Sequence, residues 1–310
     1  MKIDFNKPLY VLAPLAGYTD LPFRSVVKRF GADLTISEMI SSNALVYDSK
    51  KTYKMIEKSP LEDPYFVQIA GSDENIIKEA VKRLNDIEGI DGIDLNCGCP
   101  VPKVVKQGAG SALLNDLKKL SKIVETIKKY SDKNYTSVKI RLGFTKNNVV
   151  EIVKILESSG ADFVTIHGRT RSGGFKASVN YEAIKEAKES VKIPIIANGD
   201  IVDFNKAKEV LEFTKADGVM IGRGAIGKPW IFYQLKEGKE FVDKDIKLKI
   251  ILEHFYQMIN FYGEYGAVMF RKHLHTYSKG YSGASIFRDE INKIKDPVTM
   301  RKKIEEFFGK

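Results

Sequence analysis

Short apolar runs alternate with amphipathic helical stretches along the first 240 residues of the chain. The runs are rich in β-branched residues and end in turn-forming residues, which is typical of strands. Eight of them are present, at 8–17, 32–40, 65–71, 92–96, 136–143, 163–169, 194–200 and 218–224. Apolar residues recur at spacings of three and four in the segments between them, as at 73–84, 117–130, 149–158 and 203–213, which predicts helices.

This alternation predicts a parallel sheet covered by helices. Eight strand–helix units in roughly 235 residues match a (β/α)8 barrel better than an open doubly wound sheet. Only helical patterns follow, at 245–262, 267–279, 286–293 and 297–308. We therefore expect an α/β fold, with a (β/α)8 TIM barrel over residues 1–240 and a small all-helical C-terminal domain over residues 241–310.

Polar side chains occur where nearly every predicted strand ends, and in a TIM barrel the strand ends form the active-site mouth. A barrel does not need polar groups there for stability, so the ring predicts a binding site. Capping of turns and helix starts is the alternative explanation. The ring comprises Glu38, Gln68, Asn96, Cys99, Lys139, Arg141, His167, Asn198, Asp200 and Arg223.

Two glycine-bearing turns follow the last two predicted strands, at 198–200 (Asn-Gly-Asp) and 222–224 (Gly-Arg-Gly). Glycines let backbone N–H groups approach a ligand closely, and an arginine suits a phosphate. Many barrels bind phosphate after strands seven and eight, so these turns favour a phosphorylated cofactor. Plain turn formation is the other reading, because Asn-Gly-Asp is good turn chemistry.

Lys139 and Arg141 lie two residues apart on one predicted strand, so their side chains point the same way. Two cations inside a barrel need an anion or a polar ring system. If the strand register were shifted by one residue, both would lie among the helices instead.

His167 ends the next strand and is either structural or part of the site, and the spacing of the four histidines predicts no metal.

The only two cysteines, Cys97 and Cys99, are separated by one glycine, which rarely permits a relaxed disulfide. We expect free thiols in a soluble protein of the reducing cytoplasm, since no leader or membrane-spanning run is found. Cys99 would lie at the barrel mouth as nucleophile, acid or bystander. A free thiol with a pKa of about 8.5 is mostly protonated near neutral pH. A nucleophile would need a histidine partner such as His167.

The formal net charge is +10, from 50 Lys and Arg against 40 Asp and Glu. Such a charge makes a polyanion the first candidate partner. A lysine-rich composition explains the same excess without any partner. Charge alone therefore leaves the question of a nucleic-acid partner open.

Seven motifs together resemble the tRNA-dihydrouridine synthases. They appear in order over nearly the whole chain, and the stretch at 94–114 is the most specific. The motifs are LAPLAGYTD (12–20), DLNCGCPVPKVVKQGAGSALL (94–114), VKIRLGF (138–144), IHGRTR (166–171), IANGDI (196–201), GVMIGRGAIGKPWIF (218–232) and RKHLHTYSKG (271–280).

The resemblance implies an FMN-dependent enzyme that reduces the C5–C6 double bond of particular tRNA uridines, with NADPH as electron source. It assigns Cys99 as the proton donor to C5, with hydride passing from FMN to C6, and leaves Cys97 a bystander. The family commonly has Pro-Met-Ala where this chain has Leu15, a swap of similar volume. The FMN contacts implied are Pro14, Leu15, Ala16, Gln68, Lys139, His167, Asn198, Gly199, Asp200, Gly222 and Arg223.

The substrate contacts implied are Asn96, Lys103, Arg141, Arg271 and Lys272. The family uses the helical domain to grip tRNA, and Tyr277 and Tyr281 with further cations of this domain suggest a phosphate-contacting surface. A packing or dimerisation domain is the alternative. The uridine reduced and the oligomeric state stay open, and the choice of NADPH over NADH rests on likeness alone.

Two other functions compete with this reading. One is a flavin barrel oxidoreductase that acts on a small molecule, which would need neither the helical domain nor the motif around Cys99. The other is a non-catalytic nucleic-acid-binding factor, which would carry no flavin.

Overall fold

The computed structural model describes residues 2–309, and within them the strands form one parallel nine-stranded sheet. Each of the eight predicted segments contains a strand. The additional strand, β3, is a two-residue piece that pairs with β4. The strands are β1 (Leu9–Leu12), β2 (Thr35–Ile36), β3 (Ile40–Ser41), β4 (Tyr65–Ala70), β5 (Gly92–Cys97), β6 (Tyr135–Arg141), β7 (Phe163–His167), β8 (Ile195–Asn198) and β9 (Gly218–Ile221).

The sheet closes on itself. Its order is β1-β9-β8-β7-β6-β5-β4-β2. A parallel bridge between Val11 and Leu34 joins the two ends, and the amide of Leu12 donates to the Leu34 carbonyl at 3.1 Å. The predicted (β/α)8 barrel is therefore confirmed.

Helices follow the strands as the spacing of apolar residues predicts. Several begin at an Asp or Asn whose side chain accepts the N–H three residues later, which satisfies a helix donor that would otherwise lack a partner; these caps are Asp20, Asp73, Asp116, Asn180, Asp203 and Asp296. The barrel helices are α1 (Leu21–Arg29), α2 (Ser42–Val46), α3 (Lys50–Met55), α4 (Glu74–Asn85), α5 (Pro102–Lys106), α6 (Leu117–Tyr130), α7 (Val149–Ser158), α8 (Tyr181–Ser190), α9 (Phe204–Thr214) and α10 (Ile231–Glu237), with a 3₁₀ turn at Gly110–Asn115.

Four further helices form the C-terminal part: α11 (Lys244–Tyr262), α12 (Tyr265–Tyr277), α13 (Ala284–Ile291) and α14 (Pro297–Phe308). Their apolar faces share one core, which also takes in Val26 of α1 and Trp230 of the barrel. The helical part therefore packs against the first helix of the barrel. A division into domains at residue 240 stays a prediction. Among residues 2–309, no helix is long and apolar enough to cross a membrane.

The barrel interior is apolar at its amino-terminal end and polar at its carboxyl end. Phe66, Phe163 and Met220 belong to the apolar layer. Gly92 is required beside them, because a Cβ there would lie 2.5 Å from the Phe66 ring. Above this layer the inward side chains become polar, which prepares the mouth for a ligand.

A buried ion pair ties α1 to the segment before β4. Arg24 and Glu62 are both fully buried, and the Arg24 Nε lies 2.7 Å from the Glu62 Oε1. The same carboxylate accepts from the Thr35 hydroxyl at 2.8 Å and from the Ser59 amide at 2.9 Å. Removing one member would leave an uncompensated buried charge.

We expect Glu62→Gln to lower the free energy of unfolding by about 3 kcal/mol, because Arg24 would then be buried without its counter-charge. Urea unfolding followed by circular dichroism measures the change. Glu79→Gln is the matched control, since Glu79 pairs with Lys82 at the exposed surface, where water and salt screen the pair and it contributes little to stability. Equal losses in the two variants would contradict the account.

Candidate active site

A cavity of about 370 Å³ opens at the carboxyl ends of β1 and β6 to β9, within the range of about 300–1,000 Å³ seen for small-molecule sites. It gathers most of the side chains that the sequence singles out. Ala16 lies beside it in the exposed loop between β1 and α1. The cavity brings together Pro14, Leu15, Lys139, Arg141, His167, Asn198, Gly199, Asp200, Gly222 and Arg223.

Lys139 and Arg141 both face this cavity, as strand alternation predicts, so the one-residue register shift is excluded. The Lys139 Nζ donates to the Asn198 Oδ1 at 3.3 Å, and the Asn198 amide donates to the Met220 carbonyl at 2.7 Å. Burial, with repulsion from Arg141, lowers the pKa of Lys139 to about 8. The two cations therefore favour an anionic or electron-rich ligand.

His167 ends β7 and is buried at the cavity wall. Burial, reinforced by Lys139, Arg141 and Arg169, lowers its pKa to about 2. The ring is therefore neutral near pH 7 and is a weak base. This disfavours His167 as the group that would deprotonate a nucleophilic Cys99.

At one end of the cavity, the Asp200 carboxylate lies between the guanidinium groups of Arg169 and Arg223. Asp200 has a left-handed backbone with φ of 46°. Its Oδ1 accepts from Arg169 at 3.1 Å and from Arg223 at 2.9 Å. The hydrogen bonds from Arg169 lower the pKa of this carboxyl. Asp200 thus fixes the orientation of both guanidinium groups.

Sequence reasoning missed Arg169 and Phe175. Arg169 is buried and also donates from Nε to the Ala177 carbonyl. Phe175 lines the cavity with its ring 57% exposed. The ring centroid lies 4.5 Å from the Arg223 guanidinium and 5.7 Å from that of Arg141. Arg169 follows His167 by two residues in the quoted IHGRTR motif, which was a usable signal, whereas Phe175 lies in an irregular segment with none.

The loop after β5 holds Cys99, which is half-buried, by its backbone. The Cys99 amide donates to the Asn96 Oδ1 at 2.9 Å, and its carbonyl accepts from the Ser111 hydroxyl at 2.9 Å. The Arg141 Nε donates to the Gly98 carbonyl at 2.8 Å, which brings the cation to the same loop. A thiol is thus held next to the cationic side of the mouth.

Cys97 is different. It is fully buried in the core between strands and helices, where burial raises the pKa of its thiol. Both cysteines are free, as the sequence predicts.

Gln68 and Asn96 do not line the cavity. Gln68 is fully buried; its Nε2 donates to the Asp94 carboxylate at 2.6 Å, and its Oε1 accepts from Asn96 at 2.8 Å. The other Asp94 oxygen accepts from the Ser137 hydroxyl at 2.6 Å. The flavin contact of Gln68 and the substrate contact of Asn96 stay predictions, and in this structure the two amides connect Asp94 to the Cys99 loop.

The residues expected to contact tRNA are scattered. Lys103 is exposed on α5, four residues after Cys99. Arg271 donates to the Ile294 carbonyl at 2.6 Å, and Lys272 donates to the Gly17 carbonyl. The expectation that Tyr277 lies on a phosphate-contacting surface is wrong, because it is 2% exposed and its hydroxyl bonds the His254 Nδ1 at 2.8 Å.

Comparison with known proteins finds consistent likeness over nearly the full chain. Residues 11–309 match the family model described as Dihydrouridine synthase (Dus). The chain is 52% identical to a probable tRNA-dihydrouridine synthase of Helicobacter pylori, over 99% of this chain and 94% of that protein. It is 41% identical to tRNA-dihydrouridine synthase B of Pasteurella multocida, over 96% of this chain and 92% of that protein.

Solved structures share the fold at low identity. TcOYE with pHBA aligns with a TM-score of 0.58 and 9% identity, over 81% of this chain and 93% of that one. The old yellow enzyme homologue of Zymomonas mobilis aligns with a TM-score of 0.55 and 14% identity, over 77% of this chain and 91% of that one. These likenesses support the barrel architecture.

We expect Lys139→Met to raise the free energy of unfolding of the ligand-free protein by about 1–2 kcal/mol at pH 7, because folding desolvates a charged amine beside Arg141. The pKa of Lys139 in the folded protein lies below its value of about 10.4 in the unfolded chain. The destabilisation caused by this charged amine is therefore complete below about pH 8 and fades as pH rises toward about 10.4. Urea unfolding near pH 7 and near pH 9.5 measures it.

The increase in the free energy of unfolding caused by Lys139→Met is expected to be smaller by about half or more near pH 9.5 than near pH 7. A destabilised variant, or a gain that does not change with pH, would show that Lys139 is not a strained cation in the folded protein.

Proposed function

The chain belongs to the dihydrouridine synthase family, an oxidoreductase family, and from that premise we propose that it reduces specific uridines of tRNA to 5,6-dihydrouridine. FMN would occupy the mouth cavity, and NADPH would be the source of electrons. The names of the relatives support tRNA as the substrate. The observation that carries the proposal is a free, half-buried thiol, Cys99, in a loop that is bonded by Arg141, a cation of the cavity wall at the barrel mouth.

The cavity fits a flavin mononucleotide in its charges. Lys139 and Arg141 supply cations at the side near Cys99, where the electron-rich edge of a flavin or of uracil would be stabilised. The glycine-bearing turn of Gly222 and Arg223 supplies donors for the phosphate at the other side. Pro14, Leu15 and Ala16 would lie against the ring, with His167, Gln68, Asn198 and Gly199 among its further contacts.

When bound, FMN supplies the hydride that C6 of the uracil receives. Cys99 then donates the thiol proton to C5, so hydride and proton together saturate the double bond. The resulting thiolate regains a proton from solvent. An acid of this kind needs no activating base, which agrees with the weak basicity of His167. Lys139 and Arg141 stabilise the negative charge that develops on the uracil as hydride arrives.

The target uridine has to leave its stack to reach a barrel mouth, as other bases do when enzymes act on them. A net charge of +10 favours the approach of RNA. Lys103, which is exposed and follows Cys99 by four residues, would contact RNA beside the mouth. The cytoplasm, where tRNA is processed, is the proposed compartment.

Replacing each cysteine in turn distinguishes the proposed acid, Cys99, from the neighbouring thiol of Cys97. We expect Cys99→Ala to lower the rate of dihydrouridine formation at least about 100-fold, because general acids contribute about 10²–10⁴-fold. Cys97→Ala is the matched control and should keep most of the activity. The assay uses purified protein, NADPH and tRNA from a strain that lacks the modification, with product mapped by position.

Equal activity of the two variants would remove Cys99 from the acid role. Oxidation of NADPH without any dihydrouridine in tRNA would favour an oxidoreductase that acts on a small molecule.

Arg223 can be tested with two flavins that differ by one phosphate. We expect wild type to bind FMN at least about tenfold more tightly than riboflavin, and Arg223→Met to lose most of that preference, because a charged hydrogen bond contributes about 1.5–3 kcal/mol. Quenching of flavin fluorescence gives both affinities. Lys228→Met is the control, since Lys228 is exposed five residues further on. An unchanged preference in Arg223→Met would place the phosphate elsewhere.

A further inference from the structure

The loop between β1 and α1 carries the proposed flavin-facing residues Pro14, Leu15 and Ala16, and its next residue, Gly17, is held from two sides. The Gly17 N–H donates to the Glu38 carboxylate. The Gly17 carbonyl accepts from the Lys272 ammonium. Glu38 lies just after β2 in the barrel, and Lys272 lies on α12 in the helical part, so the backbone of one residue contacts both the barrel and the helical part.

The loop is a tight turn, so a displacement of Gly17 moves its neighbours. The amides of Tyr18 and Thr19 both donate to the Leu15 carbonyl at 3.0 Å, and the Leu15 amide donates to the Thr19 hydroxyl at 2.8 Å. Gly17 has φ of +78°, a conformation that only glycine adopts without strain. These hydrogen bonds tie Leu15 of the cavity wall to the residues on either side of Gly17.

The helical part contacts the same loop at further points. The Lys272 Nζ lies 5.5 Å from the centroid of the Tyr18 ring, and that ring meets His273 edge-on with centroids 5.8 Å apart. The Tyr262 hydroxyl donates to the Asp20 Oδ2 at 3.0 Å. Helices α11 and α12 thus contact the end of the loop as well as its middle.

We propose that Glu38 and Lys272 are positioning residues that hold the backbone of Gly17, one at its N–H and one at its carbonyl, and thereby fix the cavity wall formed by Pro14 and Leu15. The proposal rests on the proposed flavin site, because that wall would lie against the flavin ring. Both hydrogen bonds are charge-assisted, one with an anionic acceptor and one with a cationic donor, which makes them stronger than ordinary peptide contacts. Lys272 then belongs to the framework of the cofactor site, in addition to any contact with RNA.

Five variants test whether Glu38 and Lys272 fix the backbone of Gly17. Lys272→Met and Glu38→Ala remove a donor and an acceptor, whereas Lys272→Arg and Glu38→Gln keep them. Lys279→Met is the matched control, because Lys279 is an exposed lysine just beyond the end of α12. Two quantities are measured on the purified full chain without tRNA: the dissociation constant for FMN, and the rate of amide hydrogen exchange in peptides that cover residues 12–20.

We expect Lys272→Met and Glu38→Ala each to weaken FMN binding about tenfold and to speed exchange in the loop, because each removes a charge-assisted hydrogen bond to the Gly17 backbone. Lys272→Arg and Glu38→Gln should restore most of both properties, and Lys279→Met should match wild type. A purely structural role elsewhere in the fold would not follow this pattern of rescue. Should Glu38→Ala fail to fold, Lys272→Met at its half-exposed position decides the question.

Wild-type exchange in the loop and wild-type FMN affinity in Lys272→Met would overturn the proposal. If wild type itself binds no FMN, the proposed function fails instead. The exchange measurement still decides in that case: faster exchange in Lys272→Met supports the hold on Gly17, and unchanged exchange overturns it.

Discussion

A series of buried hydrogen bonds connects the interior of the barrel to the loop that contains Cys99. The Asp94 carboxylate accepts from Ser137 and Gln68, Gln68 accepts from Asn96, and Asn96 accepts from the amide of Cys99. These hydrogen bonds join residues of β4, β5 and β6, so they also hold three neighbouring strands in register. Because each buried polar group here has a partner, breaking one link would cost the desolvation of the group left behind. The backbone of Cys99 is thus tied to the barrel interior as well as to its own loop.

The side chains at the barrel mouth carry more positive than negative charge. Asp200 compensates Arg169 and Arg223. Burial and repulsion from Arg141 lower the pKa of Lys139, and burial and repulsion from Arg169 lower the pKa of Arg141. Burial, reinforced by Lys139 and Arg141, also keeps His167 neutral. Folding therefore places cations where they are unfavourable without a ligand, and a bound anion would offset that cost. Strain of this kind at a cavity is a common property of functional sites.

The sequence predicts the barrel because its strands are short, apolar and separated by helices of matching period. Alternation also places Lys139 and Arg141 in the mouth correctly. Other features depend on contacts between distant residues: the bond from Lys272 to Gly17 spans 255 positions. Tyr277 was expected at the surface because it lies among cations in the sequence, yet the helix packs it inward against His254. Phe175 lies in a segment without periodicity, so no pattern marks it as part of the cavity.

In the proposed reaction, reducing equivalents pass from a flavin in this mouth to a uridine of tRNA. The most direct test loads the protein with FMN, reduces it anaerobically, removes excess reductant and mixes it with tRNA that lacks dihydrouridine. The account predicts that the oxidised flavin absorption returns in a tRNA-dependent phase and that one dihydrouridine forms for each flavin reoxidised. Reoxidation at the same slow rate with and without tRNA, and no dihydrouridine in the RNA, would contradict it.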